Sequence, residues 1–274
     1  MNFGTYGFPQ GLGLNSGLFG LPSYRILWTP AYVSTQLWLD ASDSSTITLN
    51  SGAVSQWNDK SGNSINLFQS TPANQPTYIT AGLNSLNTIR FDGINDVISS
   101  ANNFPLTGNP SFSVFVLYKK SNAARGSVYG WGTSTVALNA FGIYNDNSFS
   151  TYAYAGGQGF YIDAIPNNTF LSQVYIKTSG QIASTSIAQT NGTLNTATGH
   201  STSTPAIAPR AFNIGRWADF SSEAFEGEIC ELIITSFSAS TDLTDRMVGY
   251  LHHKWGLTGS LPSGHPYKTT PPKI

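Results

Sequence analysis

From Tyr32 onward, short apolar runs alternate with turn clusters of Gly, Asn, Asp and Ser, one run about every 8 to 12 residues. That rhythm predicts an all-β fold, a two-sheet antiparallel sandwich. The clearest run is SFSVFVLYKK (111–120), which places Phe112, Val114, Val116 and Tyr118 on one face and Phe115 and Leu117 on the other. Both faces are largely apolar, as in a strand covered on both sides. VSTQLWLDA, GAVSQWND, NTIRFDG, DVIS, SVYGWG, FGIYND, FSTYAYA, FLSQVYIK, AFNIGRW and GEICELIITSF continue the pattern. Near the end, LTDRMVGYLHHKW changes period. Leu243, Met247, Tyr250, Leu251 and Lys254 fall on one helical face, Asp242 is the expected N-cap, and Gly256 supplies the stop.

Composition agrees with strands and turns. Only 10% of the 274 residues are charged, and Lys plus Arg (13) nearly balance Asp plus Glu (14). Ser, Thr and Asn replace the ions, at roughly 30% of the chain, far above ordinary usage. No clustered basic surface is expected, so a phosphate-held nucleic-acid binder is not indicated. At 40% hydrophobic and 13% aromatic the chain can bury a large core. Cys230 is its single cysteine, so an intrachain disulfide cannot form. No apolar stretch approaches the roughly 18 residues of a membrane span.

Residues 1–30 stand apart, rich in Gly, Leu, Phe and Pro without period 2 or 3.6, and read as an extended arm that docks on a partner. Residues 31–268 form one domain and 269–274 a tail. The N-terminus has no basic region before its first apolar residues and reads as leaderless. A leaderless chain with one cysteine and an uncharged polar surface fits a virion component, assembled in the host cytoplasm and later exposed.

Taken in order, WLDASD, WNDKSGNSINL, IRFDGINDVI, FSVFVLYKK, FNIGRW, FEGEICELIIT and LTDRMVGYLHHKWGL resemble the laminin-G-like jelly rolls of the concanavalin A-like lectin/glucanase superfamily, in the form found in tailed-phage proteins. The resemblance covers about residues 35–268. It implies a concave sheet with loops at its rim that hold a ligand or calcium. Calcium needs six or more oxygens, for which Asp40, Asp43, Asp59, Asp92 and Asp96 are the candidates. In FDGIND the alternative expectation is that Asp92 and Asp96 fold back on backbone amides as turn caps. Trp131, Tyr144, Tyr152, Tyr154 and Trp217 lie nearer loops or alternating strands and are the candidates for stacking on sugar rings.

Glucanases of this superfamily carry E-x-D-x-E on one strand. The nearest segment here is Glu226-Gly-Glu228-Ile-Cys-Glu231, where strict alternation puts Glu231 on the face opposite Glu226 and Glu228. No nucleophile elbow, H-E-x-x-H motif or phosphate cradle occurs. The expected function is that of a non-enzymatic phage virion protein, in capsid decoration, head fibre or tail adhesion. Its arm would bind other virion proteins, its jelly roll would display a site for cell-surface glycans, and it would assemble as a homo-oligomer. The alternatives are a glycan-active hydrolase or lyase and a bacterial carbohydrate-binding module.

Overall fold

The computed structural model describes residues 26–122, 125–133, 135–136, 139–145, 151–152, 160–162, 165–180, 186–196, 199–200, 203–217 and 222–274. The strands are β1 (Thr35–Asp40), β2 (Ile47–Asn50), β3 (Ala53–Trp57), β4 (Leu67–Phe68), β5 (Thr77–Leu83), β6 (Leu86–Asp92), β7 (Ile98–Asn103), β8 (Phe112–Lys120), β9 (Gly126–Gly132), β10 (Ala140–Asn145), β11 (Thr151–Tyr152), β12 (Phe160–Ile162), β13 (Leu171–Lys177), β14 (Ile187–Thr190), β15 (Thr193–Leu194), β16 (Gly199–His200), β17 (Ala211–Ile214) and β18 (Glu226–Thr235). One α-helix follows, α1 (Thr241–Lys254).

The strand ladder runs β10-β9-β17-β7-β4-β3-β5-β6-β18-β8-β13-β14-β15, with β1 added to β18 and β2 to β3. Strands distant in that order meet through their side chains. Phe112 on β8 lies 4.7 Å, ring to ring, from Phe141 on β10 and 5.5 Å from Trp131 on β9, and Tyr175 on β13 lies 4.9 Å from Phe141. The antiparallel ladder therefore doubles over without closing into a barrel, which makes the expected all-β sandwich. Leu37, Leu39, Val116, Tyr118, Ile229, Leu232 and Ile234 fill its interior with Ile98, Val128, Phe212 and Ile214.

β8 is apolar on both faces because it sits in the middle of three layers. Phe112, Val114, Val116 and Tyr118 point into the sandwich. Phe115 and Leu117 point outward into a second core with Trp28, Trp38, Met247, Val248, Leu251 and Trp255. Each such side chain contributes roughly 1.5–3 kcal/mol by burial.

The helix begins two residues earlier than Asp242 suggests. Ser240 is the N-cap, its hydroxyl accepting the Leu243 amide at 3.3 Å, while Asp242 sits in the first turn and pairs with Arg246 at 2.8 Å. At the far end Gly256 takes a left-handed φ of 68° as expected. The turn at Asn84, between β5 and β6, reaches this end, and its side-chain amide donates to the Trp255 carbonyl at 2.5 Å.

Residues 26–28 and 272–274 join this outer layer. Leu27 pairs antiparallel with Lys273, with the Trp28 amide donating to Pro272 and the Ile274 amide to Ile26. Trp28 is buried against Tyr250. Residues 26–30, read in the sequence as the end of an arm, thus pack with the domain, as do residues 272–274 of the tail. The remainder of that arm, residues 1–25, lies outside the described residues.

The register of β18 against β8 slips between Ile229 and Glu231. This bulge makes Cys230 and Glu231 share the outer side, with Cys230 in the outer core and Leu232 back in the inner one. Glu231 is fully buried there. Its Oε1 accepts from Trp38 Nε1 at 2.8 Å and from the Tyr250 hydroxyl at 2.9 Å. Its Oε2 accepts from Lys254 Nζ at 2.7 Å and from Trp255 Nε1 at 2.9 Å. Burial pushes the Glu231 pKa up, and Lys254 opposes that rise. Lys254 also meets Asp40 at 2.8 Å, and Lys60 bridges Asp40 and Asp43 at 2.9 and 2.7 Å. Burial penalises the Asp40 charge, but Lys254, Ser42 and Lys60 outweigh it and hold its carboxyl below the usual value.

Glu231→Ala strips four donors of their acceptor, two of them buried indoles, and should cost about 3–5 kcal/mol in urea unfolding at neutral pH. A loss below about 1 kcal/mol would show that the outer layer does not depend on this carboxylate.

Candidate functional site

The aromatic candidates divide. Trp131 is fully buried, its indole N–H donating to the Leu106 carbonyl at 2.7 Å. Trp217 is 1% exposed and lies across two glycines: a Cβ on Gly130 or Gly142 would come within 2.6 or 2.7 Å of its ring. Both tryptophans are corrected to core residues, because their neighbours leave no face open to a sugar. Tyr144 lies on β10 and Tyr152 on β11. Tyr154 lies outside the described residues.

The carboxylates proposed for calcium do not converge. Asp40 pairs with Glu231 across β1 and β18, whereas Asp92 pairs with Glu226 five residues away along the same strand. That separation is roughly 15 Å. Asp40 faces two ammonium groups, which a cation would have to displace. Asp43 caps a turn, accepting the Ser45 amide at 3.2 Å. Asp92 Oδ1 accepts the amides of Ile94 and Asn95, the turn-capping role. Asp96 accepts the Asp92 amide at 2.9 Å; burial first, then the Asp92 charge, raise its pKa to about 6. Among the described residues no three His, Cys, Asp or Glu side chains gather in a set that holds a metal.

The bulge overturns the facing expected for Glu231, yet the three glutamates of β18 are each engaged. Glu228 meets Lys119 and the Thr88 hydroxyl, both at 2.7 Å, and Glu226 accepts from the Asn122 amide. A Ser–His pair is also present, with Ser172 Oγ 2.8 Å from His252 Nε2. Both residues are fully buried, so substrate cannot reach the hydroxyl. Burial lowers the His252 pKa to about 4, and its Nδ1 lies 3.0 Å from the Leu257 carbonyl. The neutral ring holds the helix on β13.

Asp59 has a different task. Its Oδ1 accepts the amides of Trp38 (3.0 Å) and Ser61 (2.8 Å), and its Oδ2 accepts the Ser61 hydroxyl (2.7 Å) and the Ile65 amide (3.1 Å). The Asp59 amide donates in turn to Asn66 Oδ1 at 3.0 Å, and the Asn63 side chain donates to the Thr35 carbonyl at 2.9 Å. These bonds pull residues 61–66 toward β1. The adjoining β4 is consequently only two residues long, paired to β7 at Leu67↔Ser100 and Phe68↔Ser99. Beyond that point β7 continues through Asn103 without β4 beside it.

The divergence opens a groove of about 310 Å³, lined by Asn63, Ser64, Ile65, Asn66, Phe68, Ser100, Ala101, Asn102 and Asn103. Phe68 is 42% exposed while Leu67 beside it is fully buried, as alternation on β4 requires. Asn102 and Asn103 are exposed as well. The groove thus combines one accessible aromatic ring with several amides and hydroxyls. A second groove, of about 390 Å³, lies between residues 27–29, residues 271–272 and α1, and Trp28, Tyr250, Pro271 and Pro272 give it a mainly apolar wall.

No family model matches this sequence, and no curated protein matches it. Solved structures do. A Trypanosoma rangeli sialidase in complex with the inhibitor DANA aligns over 80% of this chain and 34% of its own, with a TM-score of 0.53 and 13% identity. An arabinofuranosidase complexed with arabinofuranosyl-α-1,2-xylobiose aligns over 72% of this chain and 50% of its own (TM-score 0.51, 16% identity). A GH54 α-L-arabinofuranosidase mutant aligns over 80% of this chain and 59% of its own (TM-score 0.52, 17% identity). This chain therefore spans between a third and three-fifths of those proteins. The likeness is one of fold. All three carry the names of glycoside-cleaving enzymes, and the expectation of a non-enzymatic chain is withdrawn on that finding. The laminin-G-like and phage resemblance rests on the sequence segments alone.

Two outcomes follow. Asp59→Ala should destabilise the protein by about 2–4 kcal/mol through its orphaned amides and speed amide exchange at residues 61–66; unchanged exchange there would contradict its role. Asp96 binds its proton more tightly folded than unfolded, so its contribution is full below the ordinary value of 3.8 and is lost as pH rises through about 6. Asp96→Asn should therefore stabilise the protein by roughly 1–3 kcal/mol at pH 8 and by little at pH 3.5, as read by thermal melting.

Proposed function

We propose that this protein binds glycans, and that the groove between residues 63–68 and 100–103 is where it does so. The observation that carries the reading is the pairing of the exposed Phe68 ring with an uncharged rim of Asn and Ser on this sandwich. Sugar rings present one apolar face and a girdle of hydroxyls. An aromatic ring takes the first, and amides, which donate and accept, take the second. Single sugar contacts of this kind are weak, and repetition strengthens them. Display on a particle through residues 1–30, toward cell-surface glycans, would supply such repetition; that part of the proposal has its support in the sequence.

A glycan-active protein is the second reading, favoured by the names of the similar structures.

Glycan-array binding, followed by calorimetric titration of the best saccharide, tests the proposal. Phe68→Ala should weaken binding at least about tenfold without changing the melting temperature by more than a few degrees. Binding that is unaffected by Phe68→Ala would place the site elsewhere. Chromatography of the same saccharide after incubation distinguishes binding from cleavage.

A further inference from the structure

Resting on the glycan-binding reading of the groove, we infer that its ligands are neutral saccharides and that uronate, sialate and sulfated sugars are rejected. Among the described residues, the lining consists of amides, hydroxyls, Phe68, Ile65 and Ala101, with no charged side chain. A sugar carboxylate seated there would surrender water without gaining a cation, which is unfavourable wherever the anion is desolvated. Asp59, which accepts the amide of the lining residue Ile65 at 3.1 Å, brings a charge of the wrong sign for an anionic sugar.

The cations near the groove in sequence or pairing are directed away from it. Lys60 is held between Asp40 and Asp43, and burial, though it opposes the charge, is outweighed by those two carboxylates. Arg210, whose carbonyl accepts the Phe104 amide next to Asn103, aims its Nε at Thr133. The amides, by contrast, match neutral hydroxyls. Asn66 spends its Oδ1 on the Asp59 amide, which fixes the side chain with its NH₂ as the donor end. Asn102 and Asn103 stand exposed at the end of β7 and line the same groove as Phe68.

The test uses the full chain on an array carrying neutral glycans together with uronate-, sialate- and sulfate-bearing ones, followed by titrations with xylotetraose, lactose, tetragalacturonate and 3′-sialyllactose. Neutral glycans should dominate the array. The 3′-sialyllactose affinity should be at least about tenfold below that of lactose, and neutral binding should be unchanged between 50 and 500 mM salt, both as order-of-magnitude expectations. Asn102→Lys should raise the affinity for tetragalacturonate at least about fivefold and make it salt-sensitive. Acidic glycans that bind as tightly as neutral ones, and lose binding in Phe68→Ala, would overturn this inference while leaving the glycan site in place. Absence of binding by any glycan would overturn the site and the inference together.

Discussion

A single buried carboxylate, Glu231, fastens the outer layer of this protein to its sandwich. Four donors from β1, α1 and the residue that caps α1 converge on it. An unpaired carboxylate at that depth would cost several kcal/mol, so the layer holds only when every donor is in place. Lys254 passes the constraint on to Asp40, and Asp40 to Lys60 at the start of the 60–66 loop. In a chain with so few ions, this concentration of charge at one interface is the main electrostatic feature of the fold.

The groove follows from the same region. Asp59, next to Lys60, gathers residues 61–66 against β1 and so delays the start of β4 to Leu67. A longer β4 would have paired with the rest of β7 and closed the space. The site is thus a gap in a ladder, bordered by side chains that strand alternation turns outward. Its uncharged lining reflects the composition of the chain, in which amides and hydroxyls stand where other proteins place ions.

Much of the architecture is legible in the sequence, because period-2 alternation records burial directly. The two apolar faces of β8 announce a strand covered on both sides, and the change of period at Leu243 announces the helix. Alternation fails at Glu231, since one inserted residue at a bulge reverses every later side chain and leaves no mark in a hydrophobic pattern. Trp131 and Trp217 look like loop-edge aromatics in the sequence, but packing against Phe112 and across Gly130 buries them. Phe68 has the opposite history. It ends the run INLF, which nothing in the sequence singles out, and its exposure depends on where the β4–β7 ladder lies. Asp59 was legible as a carboxylate in a polar loop; that its oxygens serve four donors of the protein is set by the proximity of β1, which only the fold supplies.

The central claim is that a neutral glycan sits between the 63–68 segment and the end of β7. Backbone-amide NMR of the isotopically labelled chain, titrated with the tightest neutral saccharide found on the array, addresses it directly. Shift changes centred on residues 63–68 and 99–103 are the predicted result. Changes centred on the Asp92–Asp96 turn or on the Trp28–Tyr250 groove, with residues 63–68 unmoved, would contradict it.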